Sequence, residues 1–367
     1  MDLLLNNQSY VIDPNTQKSY QVIKHIANGG FSQIYLVKAS DTDQLQVLKI
    51  ITSDDDSQKN VIRDEIRIFN MLKRAVDPAQ DYLIKYYANF ECLIGQKTYL
   101  CMILEYFDGI SLREYLDQNI LLTPSKAKLI VQQIASVLLF FHQNTPQLIH
   151  RDLKPENILV NHSLTKIKII DYGASSVVFD TKTLTSDDEL KCTILYASPK
   201  LVKVNHKQQP LELFNPNYDL HSLAVLYYEL LTGTDPLDYN RFKNYPKQDV
   251  AYLKSWWRFD SLSAASINPL IKKDIDLLIH QLLNNYRNKT NQQINTQQVY
   301  EHLTNKQTEQ LNTQTSQNDE LILYNDLRSL NKIKTTDQPW FTHLIILICC
   351  LIFTGLVLLA FILVWFI

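Results

Sequence analysis

The chain has 367 residues, a length that suits about two average domains. Its formal net charge of −2 leaves no electrostatic footprint for nucleic acid, so nucleic-acid binding is not expected. The cysteines Cys92, Cys101, Cys192, Cys349 and Cys350 are odd in number and suit neither a disulfide framework nor a zinc site, which fits reduced thiols in a cytosol.

Residues 1–19 read as a polar lead-in without the basic and apolar pattern of a secretory leader. Short β-type runs follow at Tyr20–Ile26, Ile34–Lys38 and Leu45–Ile50. Asp54-Asp55-Asp56-Ser57 then supplies acidic and capping signals for a helix, on which Val61, Ile62, Ile66, Phe69 and Leu72 share one face. Two further strands fit Tyr82–Phe90 and Thr98–Tyr106. From Ser111 onward helical periodicity dominates, as in Ala127–His142 and His221–Thr232, up to about Leu303. The pattern predicts an α+β chain: a five-stranded β lobe with one helix over 20–106, then a mainly helical lobe over 107–303.

Residues 304–340 are polar and rich in Gln, Asn and Thr, and read as a linker with a short helix around Glu320–Leu330. Residues 341–367 contain the uncharged run Leu344–Ile367. As a helix that run would extend about 36 Å, enough to cross a hydrocarbon core of about 30 Å. Trp340 and Trp365 stand near its two ends, where interfacial aromatics are expected. Lys332, Lys334 and His343 precede it, so the expected layout is a tail-anchored membrane protein whose folded part faces the cytoplasm.

The run His150-Arg151-Asp152-Leu153-Lys154-Pro155-Glu156-Asn157 carries the most chemistry. It sets an Asp that can accept a proton and an Asn that can hold a metal five residues apart, with Lys154 between them. Phosphoryl transfer needs such a set, because the acceptor hydroxyl must be aimed and the phosphate charge neutralised. Here the sequence resembles the eukaryotic-type Ser/Thr protein kinase family, whose catalytic loop reads H-R-D-x-x-x-x-N. The resemblance extends over residues 20–303 and implies the bilobal kinase fold, with ATP and Mg²⁺ as cofactors.

Each further motif takes its role from that resemblance. Ile26-Ala27-Asn28-Gly29-Gly30-Phe31-Ser32-Gln33-Ile34 resembles the glycine-rich loop over the phosphates, with Gly29 at the central position and Ala27 and Ser32 where outer glycines usually stand. Val47-Leu48-Lys49-Ile50 resembles the V-A-I-K strand, so Lys49 would meet the phosphates and Glu65 would pair with it. The nucleotide would be lined by Ala27, Asn28, Gly29, Gly30, Ile34, Val47, Lys49 and Leu159. Backbone groups of Glu105 and Phe107 would hold the adenine edge, and Leu104 would guard the rear pocket. Asp152 would orient and deprotonate the acceptor, and Lys154 would stabilise the moving phosphoryl group. Asn157 and Asp171 would ligate magnesium, with Asp171 in Asp171-Tyr172-Gly173, which resembles D-F-G.

Residues 174–200 read as the activation and substrate-binding segment. Arg151 would grip a phosphate on it, and Thr181, Thr183, Thr185 and Ser186 are candidate phosphosites. Thr193 would brace Asp152 and Lys154, and Asp219 would tether the catalytic-loop backbone. Two positions depart from the family pattern: Lys200 replaces a Glu, and Asn288 stands near its expected Arg partner. The implied function is transfer of the γ-phosphoryl group of ATP to Ser/Thr hydroxyls of protein substrates, beside a lipid bilayer contacted through 344–367. The other readings are a pseudokinase-like scaffold that binds partners or nucleotide without catalysis, and a small-molecule kinase.

Overall fold

The computed structural model describes residues 3–305 apart from 119–120, 173–174, 178–192, 206–214, 237–249, 251–253, 255–258, 260–261 and 288–292. The candidate phosphosites Thr181, Thr183, Thr185 and Ser186, the helix sought at 320–330 and the apolar run 344–367 lie outside the described residues. Among the described residues no helix is long and apolar enough to cross a membrane.

The N-terminal part is an antiparallel sheet of six strands, not five. These are β1 (Tyr10–Ile12), β2 (Ser19–Asn28), β3 (Ser32–Ala39), β4 (Leu45–Ile51), β5 (Tyr86–Ile94) and β6 (Lys97–Glu105), in the order β1-β2-β3-β4-β6-β5. The extra strand comes from the segment expected to be a lead-in. Tyr10-Val11-Ile12 pairs with β2 in the register Val11↔Tyr20. Alternation sorts the strand faces. Tyr20, Val22, Tyr35, Val37, Leu48, Ile50 and Ile103 enter one core cluster, which Leu5 and Val11 of the N-terminal segment join. Each such aliphatic side chain contributes about 1.5–3 kcal/mol when fully buried.

Helix α1 (Asp56–Leu72) lies between β4 and β5 and carries the expected apolar face, with Ile62, Ile68, Phe69 and Leu72 buried. The strand expected from Tyr82 begins at Tyr86 instead. Pro78–Tyr82 forms a 3-10 turn capped by the Asp77 carboxylate, which accepts from Ala79 N at 2.7 Å. Leu83 and Ile84 then leave the sheet to meet the C-terminal part: Ile84 N donates to Ile169 O at 3.0 Å.

Beyond the connection at residues 106–109, a Cβ at Gly109 would stand 2.2 Å from Val160 O, so only glycine allows the chain to pass this close. A small sheet follows, β10-β9-β7, made of β7 (Ile110–Ser111), β9 (Ile158–Val160) and β10 (Ile167–Ile169). Helix α2 (Leu112–Asp117) starts at a capping box between Ser111 and Glu114. Helix α3 (Pro124–Gln143) starts at Thr123 with Pro at the first turn, where a missing N–H costs nothing. Strand β8 (Leu148–Ile149) pairs with β11 (Ser176–Val177). Further helices among the described residues are α4 (Pro199–Asn205), α5 (Asn217–Thr232), α6 (Lys273–Asn284) and α7 (Thr296–Thr304). All sixteen residues of α5 are buried, so it forms the axis of the helical part and ends at Gly233 in the left-handed conformation.

Candidate active site

The catalytic-loop run sits between β8 and β9, and its backbone is strained at one point. Arg151 has φ 65°, a conformation that side chains with a Cβ adopt at a cost of order 1–3 kcal/mol. Asp219, fully buried near the start of α5, offsets this cost. Its carboxylate accepts from His150 N and Arg151 N, both at 2.8 Å. It also meets His142 Nε2 at 2.9 Å, while His142 Nδ1 is 2.7 Å from Thr296 Oγ1. Burial alone would raise the Asp219 pKa, yet the His142 hydrogen bond and the facing backbone amides hold it below the usual carboxylate value.

Asp152 is held from two sides. Its Oδ1 accepts from Thr193 N at 2.8 Å and Thr193 Oγ1 at 2.9 Å. Its Oδ2 lies 2.6 Å from Lys154 Nζ, which also donates to Thr193 Oγ1 at 2.8 Å. Asn157 Nδ2 donates to the Asp152 backbone oxygen at 2.9 Å and to Oδ2 at 3.2 Å. The structure therefore gathers Asp152, Lys154, Asn157 and Thr193 into one hydrogen-bonded group. Ile170 N donates to Asn157 O at 3.1 Å, which sets Asp171 next in the chain beside Asn157.

Across the cleft, Lys49 Nζ reaches Glu65 Oε1 at 3.1 Å and Oε2 at 2.8 Å. Burial works against the ammonium, but the carboxylates of Glu65 and Asp171 outweigh it and raise the Lys49 pKa above the ordinary lysine value. Glu65 is itself pushed up by burial, an effect the Lys49 charge opposes. Tyr172 beside Asp171 is buried, with its ring against Phe69, Phe141 and His150. Its hydroxyl, which needs a partner in that apolar place, donates to Ile169 O at 3.1 Å.

The other predicted nucleotide contacts line the same region. Ala27, Asn28, Gly29 and Gly30 are exposed at the β2–β3 turn, closed by Gly29 N donating to Ser32 O at 2.8 Å. Ile34, Val47 and Leu159 are half-buried, and Val47 and Phe107 pack at the edge of the main core. Leu104 is buried in that core. The Glu105 side chain is taken up by structure: it meets Lys168 Nζ at 2.8 Å and Lys85 N at 3.0 Å. Lys168 also donates to Leu83 O at 3.0 Å, joining the two lobes.

Two groups escaped sequence reasoning. Arg113 of α2 binds Glu156 at 3.1 Å, Glu229 at 3.0 Å and Tyr196 Oη at 2.6 Å, and the Tyr196 hydroxyl donates to Glu229 at 2.5 Å. This network ties α2, the catalytic loop and α5 to the segment after Thr193. Nothing in the spacing of Arg113 marks it; of the network, Glu156 lies in the catalytic-loop run and Tyr196 in the stretch Cys192–Lys200 that resembles the family's G-T-x-x-Y-x-A-P-E. The second is Lys254, buried, which donates to Leu195 O. It anchors that same segment in a chain where Lys200 is half-buried and Asn288 lies outside the described residues. His221 is buried beneath it, with Nδ1 3.1 Å from Leu283 O. Burial, then the Lys254 charge, lowers its pKa well below the ordinary histidine value.

Among known proteins, residues 20–316 match the family model described as "Protein kinase domain". The chain is 26% identical over 260 residues to the serine/threonine-protein kinase PrkC of Bacillus subtilis, covering 71% of this chain and 36% of that protein. It is 34% identical over 144 residues to a putative serine/threonine-protein kinase of Mycoplasma pneumoniae, covering 37% of each. It is 29% identical over 264 residues to the serine/threonine-protein kinase tousled-like 2 of Xenopus tropicalis, covering 68% of this chain and 36% of that protein. The matched stretch thus spans little more than a third of these relatives' length.

Proposed function

The chain belongs to the protein kinase family, and from that premise we propose that it transfers the γ-phosphoryl group of ATP to Ser and Thr hydroxyls of protein substrates. The observation that carries this reading is the group around Asp152, in which one carboxylate is oriented by Thr193, Lys154 and Asn157 together. Such orientation supplies the aim that a positioned carboxylate contributes to proton transfer. The relatives' printed names support Ser/Thr as the acceptor class.

The donor set fits magnesium. Asp171 offers a carboxylate, and Asn157 has its amide nitrogen committed to Asp152, so its Oδ1 is the end available to a cation. Held by Asp171 and Asn157, Mg²⁺ would supply the positive charge that neutralises the phosphates. The chain's own residues do the rest. Lys49, kept charged by Glu65 and Asp171, meets the nonreacting phosphates. Gly29 and Gly30 let backbone N–H groups approach the phosphate oxygens without a Cβ in the way. Val47 and Leu159 bracket the adenine, while backbone groups of Glu105 and Phe107 bond its edge. Asp152 takes the acceptor proton as the hydroxyl attacks. Lys154, between Asp152 and Thr193, stabilises the charge that builds on the transferred group.

The run Leu344–Ile367 would hold this domain at a membrane on the cytoplasmic side. Its length, its lack of charge and its flanking Trp340, Trp365 and lysines support that placement.

The deciding experiment is a phosphotransfer assay on the full chain in detergent with Mg²⁺-ATP and a generic acceptor protein, beside Asp152→Asn. Phosphate on Ser or Thr that disappears in the variant is expected. No transfer, or equal transfer by the variant, would overturn the assignment. For the membrane, a chain without residues 344–367 should leave the pellet after a salt wash; a truncated chain that still pellets refutes the anchor.

A further inference from the structure

The glycine-rich turn is exposed, yet the strand pair that carries it is fastened from an unexpected direction. Asn28↔Gln33 is the last register pair of β2 and β3 before the turn. Gln33 is an amide side chain with no solvent exposure, on the face of the sheet opposite to Ile34. Its Oε1 accepts from Leu4 N at 3.0 Å and from the Tyr35 hydroxyl at 2.5 Å. The same hydroxyl oxygen accepts from Leu5 N at 3.2 Å. Two successive backbone amides of the N-terminal segment therefore end on two side chains of β3. Leu5 is buried against the outer core cluster, and the chain then runs into Gln8 N→Val22 O at 2.9 Å and strand β1. On the β2 side, the Tyr35 ring meets His25 edge-on at 5.3 Å, and His25 Nε2 is 3.1 Å from Asn28 Oδ1.

We propose that the N-terminal segment from Leu4 to Ile12 is a strap that sets the position of the glycine-rich loop, with Gln33 and Tyr35 as the positioning residues that pass its hold to the loop. This rests on the reading of that loop as the roof over the nucleotide. The physical case is one of leverage. The turn from Gly29 to Ser32 has one cross-bond of its own, Gly29 N to Ser32 O, one tie to the end of β4, Thr52 N to Phe31 O at 2.8 Å, and solvent on its outer side, so its placement on the β2 side follows from the pair at its base. A buried amide and a buried phenol with unmet hydrogen-bonding capacity are costly, which favours one geometry of Gln33 and Tyr35 when Leu4 and Leu5 are docked. Releasing the strap frees that base pair to sample others, and the loop must then be ordered at the expense of nucleotide binding.

The test compares Mg²⁺-ATP affinity in the full-length chain, Leu4→Pro, Gln33→Met and the double variant. Leu4→Pro removes the donor N–H together with the Leu4 side chain that packs on the outer core, and Gln33→Met keeps the buried volume while removing the acceptor. Each single variant is expected to weaken binding about fivefold, the worth of one neutral hydrogen bond. The double variant should be no weaker than the poorer single variant, because both cut the same connection. The KM for the acceptor protein should stay unchanged. Singles within about twofold of the unaltered chain would overturn the proposal, even if thermal stability falls, and so would losses that multiply in the double variant. Tyr35→Phe, which deletes one oxygen and leaves the ring on His25, carries the same expectations should Gln33→Met not fold. If the unaltered chain binds no Mg²⁺-ATP, the nucleotide reading itself fails and the strap falls with it, a result distinct from equal affinity across variants.

Discussion

Asp152, Lys154 and Asn157 on the catalytic loop are each held by at least two hydrogen bonds or ion contacts within a few residues of one another. On the β2–β3 turn, by contrast, Asn28 to Phe31 are exposed, and the nearest fastenings are the Gly29–Ser32 cross-bond, the Thr52 N–H on Phe31 O and a hairpin base anchored from the N-terminal segment. One part of the site is rigid by its own wiring and the other is rigid only by what supports it. On the proposed function, chemistry that depends on aim would fall to the first, and admission and release of nucleotide to the second. Local stability differences of this kind are expected where a site must open.

Substitutions can break or sharpen that contrast. The largest effect is expected from Asp152→Asn, which should lower phosphotransfer at least about 10³-fold while an unfolding curve stays near that of the unaltered chain. A variant that loses fold and activity together would mean that the carboxylate is mainly a structural tie. Next comes Asp219→Ala, which removes the acceptor for two backbone amides and the partner of His142. It should cost roughly 3–5 kcal/mol in urea unfolding, the range for orphaning buried charged partners. Lys49→Met should cost about 3 kcal/mol by leaving Glu65 buried without its cation, and Lys49→Met with Glu65→Leu should regain most of that stability but none of the activity. Recovery of both would deny Lys49 a role at the phosphates.

Two smaller effects follow, the first on the supported turn and the second in the helical part. Gly29→Ala would bring a Cβ to 2.7 Å of Ser32 Oγ, the end of a side chain that can turn away. A rise of about threefold in KM for ATP with little change in unfolding is expected, as suits a loop held from outside. His221, buried and neutral, gives the pH arm. The unfolded chain takes up a proton on it below about pH 6.5 while the folded chain does not, so stability should fall as pH drops from there. The slope attributable to this residue is at most about 1.4 kcal/mol per pH unit, and His221→Phe should remove it. An unchanged slope in that variant would assign the acid sensitivity to other groups.

The strands that alternate cleanly were legible to within a residue or two at β3, β4 and β6, as was the apolar face of α1. Tyr82–Lys85 were not, because Leu83 and Ile84 look like strand residues but are used against Ile169. Strand β1 escaped notice for another reason: three residues carry too little period to stand out from a polar segment, and only pairing with β2 makes them a strand. At the site, the residues inside short motifs could be read because their chemistry demands fixed spacing along the chain. The family pattern also placed Asp219 and Thr193 beside the catalytic loop. Arg113, Lys254, Gln33 and Tyr35 could not be reached in that way, since each acts through a partner far away in sequence.

What the sequence by itself determined is therefore the local residue pattern: the run from His150 to Asn157, the spacing of Lys49 and Glu65, the Asp171-Tyr172-Gly173 motif and the apolar run after Leu344. Those depend on residue type at short separation or on one recurring period. The tertiary structure alone decided that a half-buried arginine binds Glu156, Glu229 and Tyr196 from separate elements, that Lys254 reaches the Leu195 carbonyl, and that Leu4 and Leu5 fasten to strand β3. These follow from desolvation. A buried charge, amide or backbone N–H must find a partner wherever the fold brings one, and the sequence separation between the two carries no trace of it.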